Sequence, residues 1–241
     1  MRNMKRGFCF VLMLFLMGFT ELTDKNYLLG KFNPSSDARF TVLNNEHTSA
    51  SARGGYLRTD VYEAFVKMSV SAAKDDIKLI IISATRNFES QKQIWENKWN
   101  GRTLVEGKNL TTIKDPGARA EIILRFSSMP GTSRHHWGTD MDLNSLVNSY
   151  FESGHGLKIY QWLQAHAGAF GFCQPYTSKA GGRTGYEEEK WHWSYYPVSK
   201  ELLGHYVQQV KYDDITGFDG ADAALGLGII ENYVQGIGCQ E

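Results

Sequence analysis

The 241-residue chain carries 26 Lys and Arg residues against 26 Asp and Glu residues, so its formal net charge at neutral pH is zero. Such a balance provides no long-range attraction to nucleic-acid phosphates or anionic lipid, and we expect no nucleic-acid partner. The length and a hydrophobic content of 42% are sufficient for one domain with an ordinary core.

The first residues have the layout of a secretory signal. Arg2, Lys5 and Arg6 precede an apolar run over 8–19, which is shorter than a comfortable membrane span. We therefore predict a signal peptide over 1–23 and an exported protein, periplasmic or associated with the cell envelope. No small-x-small cleavage site follows the run, so an uncleaved N-terminal anchor is the alternative, and we expect no other membrane contact.

Two cysteines, Cys173 and Cys239, lie beyond the signal segment. An even number of cysteines in a chain bound for an oxidising compartment is compatible with a disulfide that ties the C-terminal tail to the body. Two unpaired thiols are the alternative, because the sequence does not give the Cα separation that decides between them.

Residues 24–58 are polar and rich in turn-forming residues, which predicts an extended arm lying on the body of the protein and contributing few site residues. From Asp60 onward, apolar residues recur at helical spacing and predict a first helix. The later predicted elements are a strand over 78–83, a helix capped by Asn87, a short helix over 118–126, a strand over 141–143, a helix over 155–170 that stops at Gly171, a strand over 191–196, a helix capped by Ser199 and a helical stretch over 221–234.

This succession of helices and short strands predicts an α+β fold, in which a small, mostly antiparallel sheet carries the functional residues and helices flank it. We place the main domain at 59–211. The segment 212–241 is expected to be a helical extension packed on that domain.

Two segments concentrate side chains that bind metals. The stretch 133–142 holds two imidazoles, two carboxylates and a glycine, and further along the chain Glu189 lies three positions before His192. Together these segments offer nitrogen and oxygen ligands with a spare carboxylate, which is what a catalytic zinc site with one open position requires.

The spacing restricts how these ligands are arranged. On one helix, His135 and Asp142 would lie about 10 Å apart along the axis, too far to share one ion. We therefore place them on a loop that leads into a strand, with Gly138 allowing the sharp turn between them. Alternation along the strand puts Asp140 on the same face as Asp142, where Asp140 either supports a ligand from behind or competes for the metal.

Glu189 and His192 would face opposite sides of an unbroken strand, because they are three residues apart. We therefore place Glu189 on the turn before the strand and only His192 on its inward face.

The motif S-x-H-x-x-G-x-x-x-D over 133–142 and the motif E-x-W-H over 189–192 resemble the VanY-like D-alanyl-D-alanine carboxypeptidases, a family of zinc metallopeptidases. The segment 83–91 is similar to the family's S-x-Y-R-S-x-x-x-Q element. The likeness runs from about residue 57 to residue 196. It implies the same α+β fold and a zinc carboxypeptidase domain over 59–211.

Carried over position by position, the resemblance implies that His135, Asp142 and His192 are zinc ligands. Glu189 would be the base that takes a proton from the attacking water, and Arg86 would stabilise the developing oxyanion or bind the substrate carboxylate. A positioned carboxylate and a fixed guanidinium suit these two tasks. The same ligand types also hold iron or manganese.

The resemblance further implies that Ser133 and Gln91 help to hold the terminal D-residue. Thr85 and Asn87 stand where the family has tyrosine and serine, so the substrate-binding wall differs. His136 is either a partner of a carboxylate behind the metal or a packed imidazole.

The function implied is removal of the C-terminal D-alanine from peptidoglycan stem peptides by a monomeric enzyme, with D,D- and L,D-specificity both open. A peptidoglycan endopeptidase is one alternative, and a metal-stabilised module that binds wall peptides without cutting them is another. Glu189 argues against the second alternative.

Overall fold

The computed structural model describes residues 23–239, and the predicted signal or anchor segment up to residue 22 lies outside the described residues. None of the described helices is both long enough and apolar enough to cross a membrane. The helices and strands, in chain order, are α1 (Lys25–Leu28), β1 (Phe40–Val42), β2 (Tyr56–Arg58), α2 (Thr59–Ala73), β3 (Ile81–Ser83), α3 (Phe88–Trp99), α4 (Pro116–Leu124), β4 (Asp140–Leu143), α5 (Gly154–His166), β5 (Phe172–Cys173), β6 (His192–Tyr195), α6 (Tyr196–Gln209) and α7 (Ala223–Gly226).

The central sheet has four short strands in the order β3-β4-β6-β5, and every neighbouring pair is antiparallel. Its register places Asp142 opposite His192 on adjacent strands. Directly opposed residues of an antiparallel pair project to the same face, so the register alone brings these two predicted ligands together. The predicted α+β fold, a small antiparallel sheet flanked by helices, is confirmed.

The two faces of this sheet differ in polarity. Met141 and Leu143 of β4 and Trp193 of β6 enter a core that α2 and α5 cover, whereas the side chains between them face the site. This alternation is what a sheet with one face packed on a core requires. A second apolar core lies among α3, α4, α6 and the C-terminal segment.

Helices α3 and α4 begin at side-chain caps. Asn87 caps α3 as predicted, and its Oδ1 accepts a hydrogen bond from the Ser90 backbone N–H at 2.9 Å. Helix α4 begins earlier than predicted, because Asp115 caps it and Pro116 occupies its first turn.

The predicted cap at Ser199 is wrong. Helix α6 begins at Tyr196, directly after β6, with Pro197 in its first turn. Ser199 lies inside the helix, fully buried, with its Oγ 2.9 Å from the Ser194 Oγ. The strand predicted over 78–83 is also shorter, because only Ile81–Ser83 pair with β4.

The segment 24–58 is more regular than predicted. It contains α1 and the antiparallel pair of β1 and β2. Tyr27 and Leu28 are buried, the Tyr27 hydroxyl donates to the Trp137 carbonyl at 2.5 Å, and the Trp137 indole donates to the Leu28 carbonyl at 3.1 Å. The arm therefore supports the loop that carries His135.

The C-terminal segment packs on the second core through residues such as Phe218 and Ile229. The helical stretch predicted over 221–234 is interrupted at Gly228, whose φ of 59° ends α7 before a π-helical turn, Ile229–Val234. Cys173 of β5 is disulfide-bonded to Cys239, with their Cα atoms 5.7 Å apart. The bond fastens the tail to the edge strand of the central sheet.

Candidate metal centre and active site

Three predicted ligands converge at one point. One potential ligand atom from each of His135, Asp142 and His192 lies within 4.8 Å of the others. The Asp142 Oδ1 is 3.4 Å from the His135 Nε2 and 3.3 Å from the His192 Nδ1. All three side chains are buried. His135 reaches this point from a 3-10 turn, Arg134–Trp137, that ends at Gly138 with a φ of 72°, as the sharp turn in the motif predicts.

Two of these atoms have no hydrogen-bond partner among the described residues: the His135 Nε2 and the Asp142 Oδ1. The His135 Nδ1 lies 2.8 Å from the Ala84 carbonyl, which accepts only, so Nδ1 is the protonated nitrogen and Nε2 presents a lone pair to the centre. Buried polar atoms are seldom left unpaired. A metal ion at their meeting point satisfies both.

Asp140 stands behind His192. Its Oδ2 accepts from the His192 Nε2 at 2.9 Å and from the Arg134 Nε at 2.9 Å, and its Oδ1 accepts from the Ser194 hydroxyl at 2.7 Å. Burial raises the pKa of Asp140, but Arg134 and His192 outweigh it and hold this pKa well below its usual range. Because Asp140 keeps a proton on the His192 Nε2, Nδ1 is the nitrogen that can give up its proton and bind a metal ion. Of the two expectations for Asp140, the supporting role fits the structure.

Glu189 lies on the turn before β6, as predicted from the spacing. Its Oε2 is 3.2 Å from the His192 Nδ1, and its backbone N–H donates to the Tyr176 carbonyl at 2.9 Å. Burial raises the pKa of the Glu189 carboxyl, although His192 opposes the shift. A carboxylate with a raised pKa accepts a proton more readily near neutral pH.

The carboxylates around His192 favour a positive charge at the centre. Burial lowers the pKa of His192, but hydrogen bonds to Asp140 and Glu189 and the charge of Asp142 raise it to about 9. In the same cluster, burial raises the pKa of Asp142, and the neighbouring imidazoles and Arg86 lower it to about 2. A centre that attracts a proton this strongly also attracts a metal cation.

Arg86 lies beside the metal centre. Its guanidinium donates to the Ser83 Oγ at 2.7 Å and lies 3.7 Å from the Asp142 Oδ2. The Arg86 Nε is buried without a partner among the described residues. The guanidinium is thus fixed at the site, with a donor still available.

A cleft of about 570 Å³ opens from these residues. Gln91 lines it, and its Nε2 donates to the Ser128 carbonyl at 2.8 Å while its Oε1 has no partner in the described part of the chain. Ser133 does not line the cleft, and its buried Oγ is also unpaired among residues 23–239. Gln91 thus reaches the cleft and Ser133 lies outside its lining, and the contact of either residue with substrate stays a prediction.

His136 is a packed imidazole. The ring is fully buried, its Nδ1 donates to the Arg86 carbonyl at 2.6 Å, and its Nε2 accepts from the Gly131 N–H at 3.0 Å. Burial is the main cause that lowers the pKa of His136 to about 3. This neutral ring holds the backbone of Arg86 in place, and within residues 23–239 it makes no hydrogen bond to a carboxylate.

A family model described as VanY, D-alanyl-D-alanine carboxypeptidase, matches residues 54–198, which is more than half of the chain. The chain belongs to this family. The resemblance noted in the sequence motifs is thereby confirmed. The match covers the sheet, the metal centre and the start of α6, and it ends before the C-terminal segment.

Two curated relatives of this VanY-family chain were found. The putative carboxypeptidase YodJ of Bacillus subtilis (strain 168) is 26% identical over 181 residues, which are 72% of this chain and 58% of YodJ. An uncharacterized protein of Haemophilus influenzae is 35% identical over 78 residues, which are 31% of this chain and 53% of that protein. The chain thus spans somewhat more than half the length of these relatives.

Solved structures show the same fold. A vancomycin-resistance D,D-pentapeptidase VanY mutant in complex with Zn(II) matches with a TM-score of 0.51 and 23% identity, over 74% of this chain and 89% of that one. The LD-carboxypeptidase LdcB matches with a TM-score of 0.52 and 21% identity, over 76% of this chain and 81% of that one.

Several cleft residues of the VanY-family chain were not predicted. Lys98 and Ile94 line the cleft beside Gln91, and their spacing on α3 is a signal that the sequence already contained. Tyr176 packs on the His192 ring with centroids 4.7 Å apart. No sequence pattern indicates that Tyr176 lies there. The chain turns back to the site after β5, and the path of this turn is set by the tertiary fold.

Proposed function

We propose that this protein is a zinc-dependent carboxypeptidase that removes the C-terminal D-alanine from peptidoglycan stem peptides. The observation that carries the proposal is the convergence of two imidazole nitrogens and a carboxylate oxygen on one buried point, with Glu189 beside them and a cleft in front. This is the donor set of a catalytic zinc site that keeps an open position.

His135, Asp142 and His192 would hold the metal through Nε2, Oδ1 and Nδ1. A zinc ion bound there supplies positive charge that polarises the scissile carbonyl and makes water more acidic. The donor set also suits other divalent metals. Zinc is favoured by the two imidazoles and by the family to which the chain belongs.

Glu189 takes a proton from the water that attacks the scissile carbonyl carbon. The same carboxyl then returns the proton to the departing amine as the C–N bond breaks, so that one water is added and two products leave, a shortened peptide and a free amino acid. Burial suits Glu189 to both steps, because a raised pKa lies closer to the working pH of a general base and acid.

Arg86 stabilises the negative charge that develops on the carbonyl oxygen. Its guanidinium is already fixed by Ser83 and lies beside Asp142, so little reorganisation is needed during the reaction. His136 takes no part in the chemistry. Its Nδ1 donates to the Arg86 carbonyl and so holds the Arg86 backbone in place.

We propose that the enzyme acts outside the cytoplasm as a monomer, periplasmic or attached to the cell envelope. The charged and apolar pattern of residues 1–23 supports export. The bond between Cys173 and Cys239 supports the same compartment, since disulfides persist mainly in oxidising environments.

Mass spectrometry of purified stem peptides tests the function. One peptide ends in D-Ala-D-Ala. The other has already lost one D-Ala and ends in a single D-Ala that is linked to a residue of L configuration. We expect one alanine mass to be lost, the loss to stop with a chelator and to return with zinc. The peptide that is cut distinguishes D,D- from L,D-specificity.

Intact peptides, in the presence of one equivalent of bound metal, would contradict the carboxypeptidase. Cross-linked dimers would then test an endopeptidase. If these are bound but not cut, the protein is a binding module.

A further inference from the structure

One face of α3 forms a wall of the cleft. Gln91, Ile94 and Lys98 follow the helical repeat along this face, and all three line the cleft. The Lys98 ammonium donates a hydrogen bond to the Ser127 hydroxyl across the cleft wall. Helix α3 therefore carries both an amide and a cation toward the space in front of the metal centre.

The Lys98 ammonium has no acidic partner among the described residues. Among the ion pairs of residues 23–239, none joins Lys98 to a carboxylate within 4.0 Å, although Lys92 on the same helix pairs with Glu96 at 3.9 Å. Lys98 is half-buried. Burial lowers its pKa, and the charge of Arg86 lowers it further, whereas Glu189 opposes them. A partly buried cation without a counter-ion is stabilised by an anionic ligand.

Arg86 also lines the cleft, but its surroundings differ from those of Lys98. Its guanidinium lies 3.7 Å from the Asp142 Oδ2 and donates to Ser83. This ties Arg86 to the metal centre and to the charge that develops there. Lys98 is instead available to bind a negative charge that the substrate carries both before and during the reaction.

Apolar side chains also line the cleft, among them Leu104, Val105, Ile123 and Phe126, and the carboxylate of Glu106 in the lining is paired with Arg125. Such surroundings reduce the local dielectric constant and strengthen an ion pair between Lys98 and a bound anion.

We propose that Lys98 binds a carboxylate of the peptide substrate, with the Gln91 carboxamide beside it. The inference rests on the proposed carboxypeptidase function and adds its specificity. The carboxylate has two sources: the free C-terminus of the peptide, or an acidic side chain close to the scissile bond. In the first case, Lys98 restricts the enzyme to chain ends. In the second, it selects peptides with an acidic residue.

The test is steady-state kinetics of Lys98→Met with a matched set of peptides: a free acid, the same peptide as C-terminal amide, and versions with and without an acidic side chain near the scissile bond. We expect KM for the recognised carboxylate to rise about 10- to 100-fold while kcat is kept, because a charge-assisted hydrogen bond is lost from both ground and transition states. Lys98→Arg should recover part of the affinity.

The control is Lys92→Met, which removes a lysine from another position of α3, already paired with Glu96, and should leave KM unchanged. Thermal unfolding of each variant verifies that it folds. A KM effect confined to free acids assigns the C-terminus. An effect confined to peptides with an acidic residue assigns the side chain.

Unchanged KM of Lys98→Met for every peptide, in a folded variant, would overturn the role of Lys98. A wild-type protein that cleaves none of the peptides would instead overturn the proposed function, so the two failures are distinguishable.

Discussion

Asp140 is the residue whose replacement tests the metal centre most directly. Its carboxylate is fully buried and accepts hydrogen bonds from Arg134, His192, Ser194 and Thr139. Asp140→Asn preserves the shape and an acceptor for the His192 Nε2, but removes the negative charge. Asp140→Ala removes the acceptor as well, so His192 is no longer held in the tautomer that presents Nδ1 to the metal.

Replacing Asp140 is expected to affect both the metal affinity and the folding stability. Loss of a partner that orients a metal-binding histidine weakens metal affinity by about 10- to 100-fold, or roughly 1.4 to 2.7 kcal/mol. We expect Asp140→Asn near the lower value and Asp140→Ala near the upper one. Each variant also leaves Arg134, 1% exposed, as an unpaired buried charge, which costs about 3 to 5 kcal/mol of unfolding free energy. That is a large share of the stability of a typical domain.

The assay is a zinc competition titration with a chromophoric chelator, combined with urea unfolding of the metal-free protein. A double variant, Arg134→Met with Asp140→Asn, separates the two effects. It should regain much of the stability, because no charge is left unpaired, but the zinc affinity should stay weak. A zinc Kd within threefold of wild type for Asp140→Ala, in a folded protein, would refute the reasoning.

Three further predictions concern the same fold. Glu189→Gln should lower kcat/KM by about 10²- to 10⁴-fold in the peptide assay while zinc stoichiometry, measured by elemental analysis, is kept; undiminished turnover would exclude Glu189 as the base. Zinc at about 100 times its Kd should stabilise the protein by about 2.7 kcal/mol in thermal unfolding, and His135→Ala should lose most of this shift. Replacing Cys173 and Cys239 by serine should lower the unfolding free energy by about 4 kcal/mol, from the chain entropy of a loop of 66 residues, and a change under 1 kcal/mol in urea unfolding would contradict that estimate.

Much of the site follows from residues that are close in the chain. The alternation 140–143 predicts that Asp140 and Asp142 share a face, and the three-residue spacing predicts that Glu189 precedes the strand of His192. The structure has both features. Asn87 caps α3, and Gly171 ends the helical stretch at a φ of 85°. These features depend on backbone geometry and hydrogen bonds within one turn or one strand, which local sequence specifies.

The predicted cap at Ser199 failed because two local signals competed. Ser199 is a residue type that often caps helices. Pro197, however, allows α6 to begin directly after β6, so Ser199 lies within the helix, where its hydroxyl contacts the Ser194 hydroxyl. Ser133 matches a motif position and lies outside the cleft lining, so its contact with substrate stays a prediction. Intrinsic propensities and motif matches identify candidate residues, and the packing of the folded chain decides which role each residue has.

The sequence by itself determined the family, the metal-binding residue types and the local turns that present them, because each is written in a short run of residues. Only the tertiary structure decided that Asp142 faces His192 across β4 and β6, that Cys173 meets Cys239, and that the Tyr27 hydroxyl reaches the Trp137 carbonyl. These features join segments far apart in the chain. They depend on strand register and on the packing of helices against two cores, which no local pattern specifies.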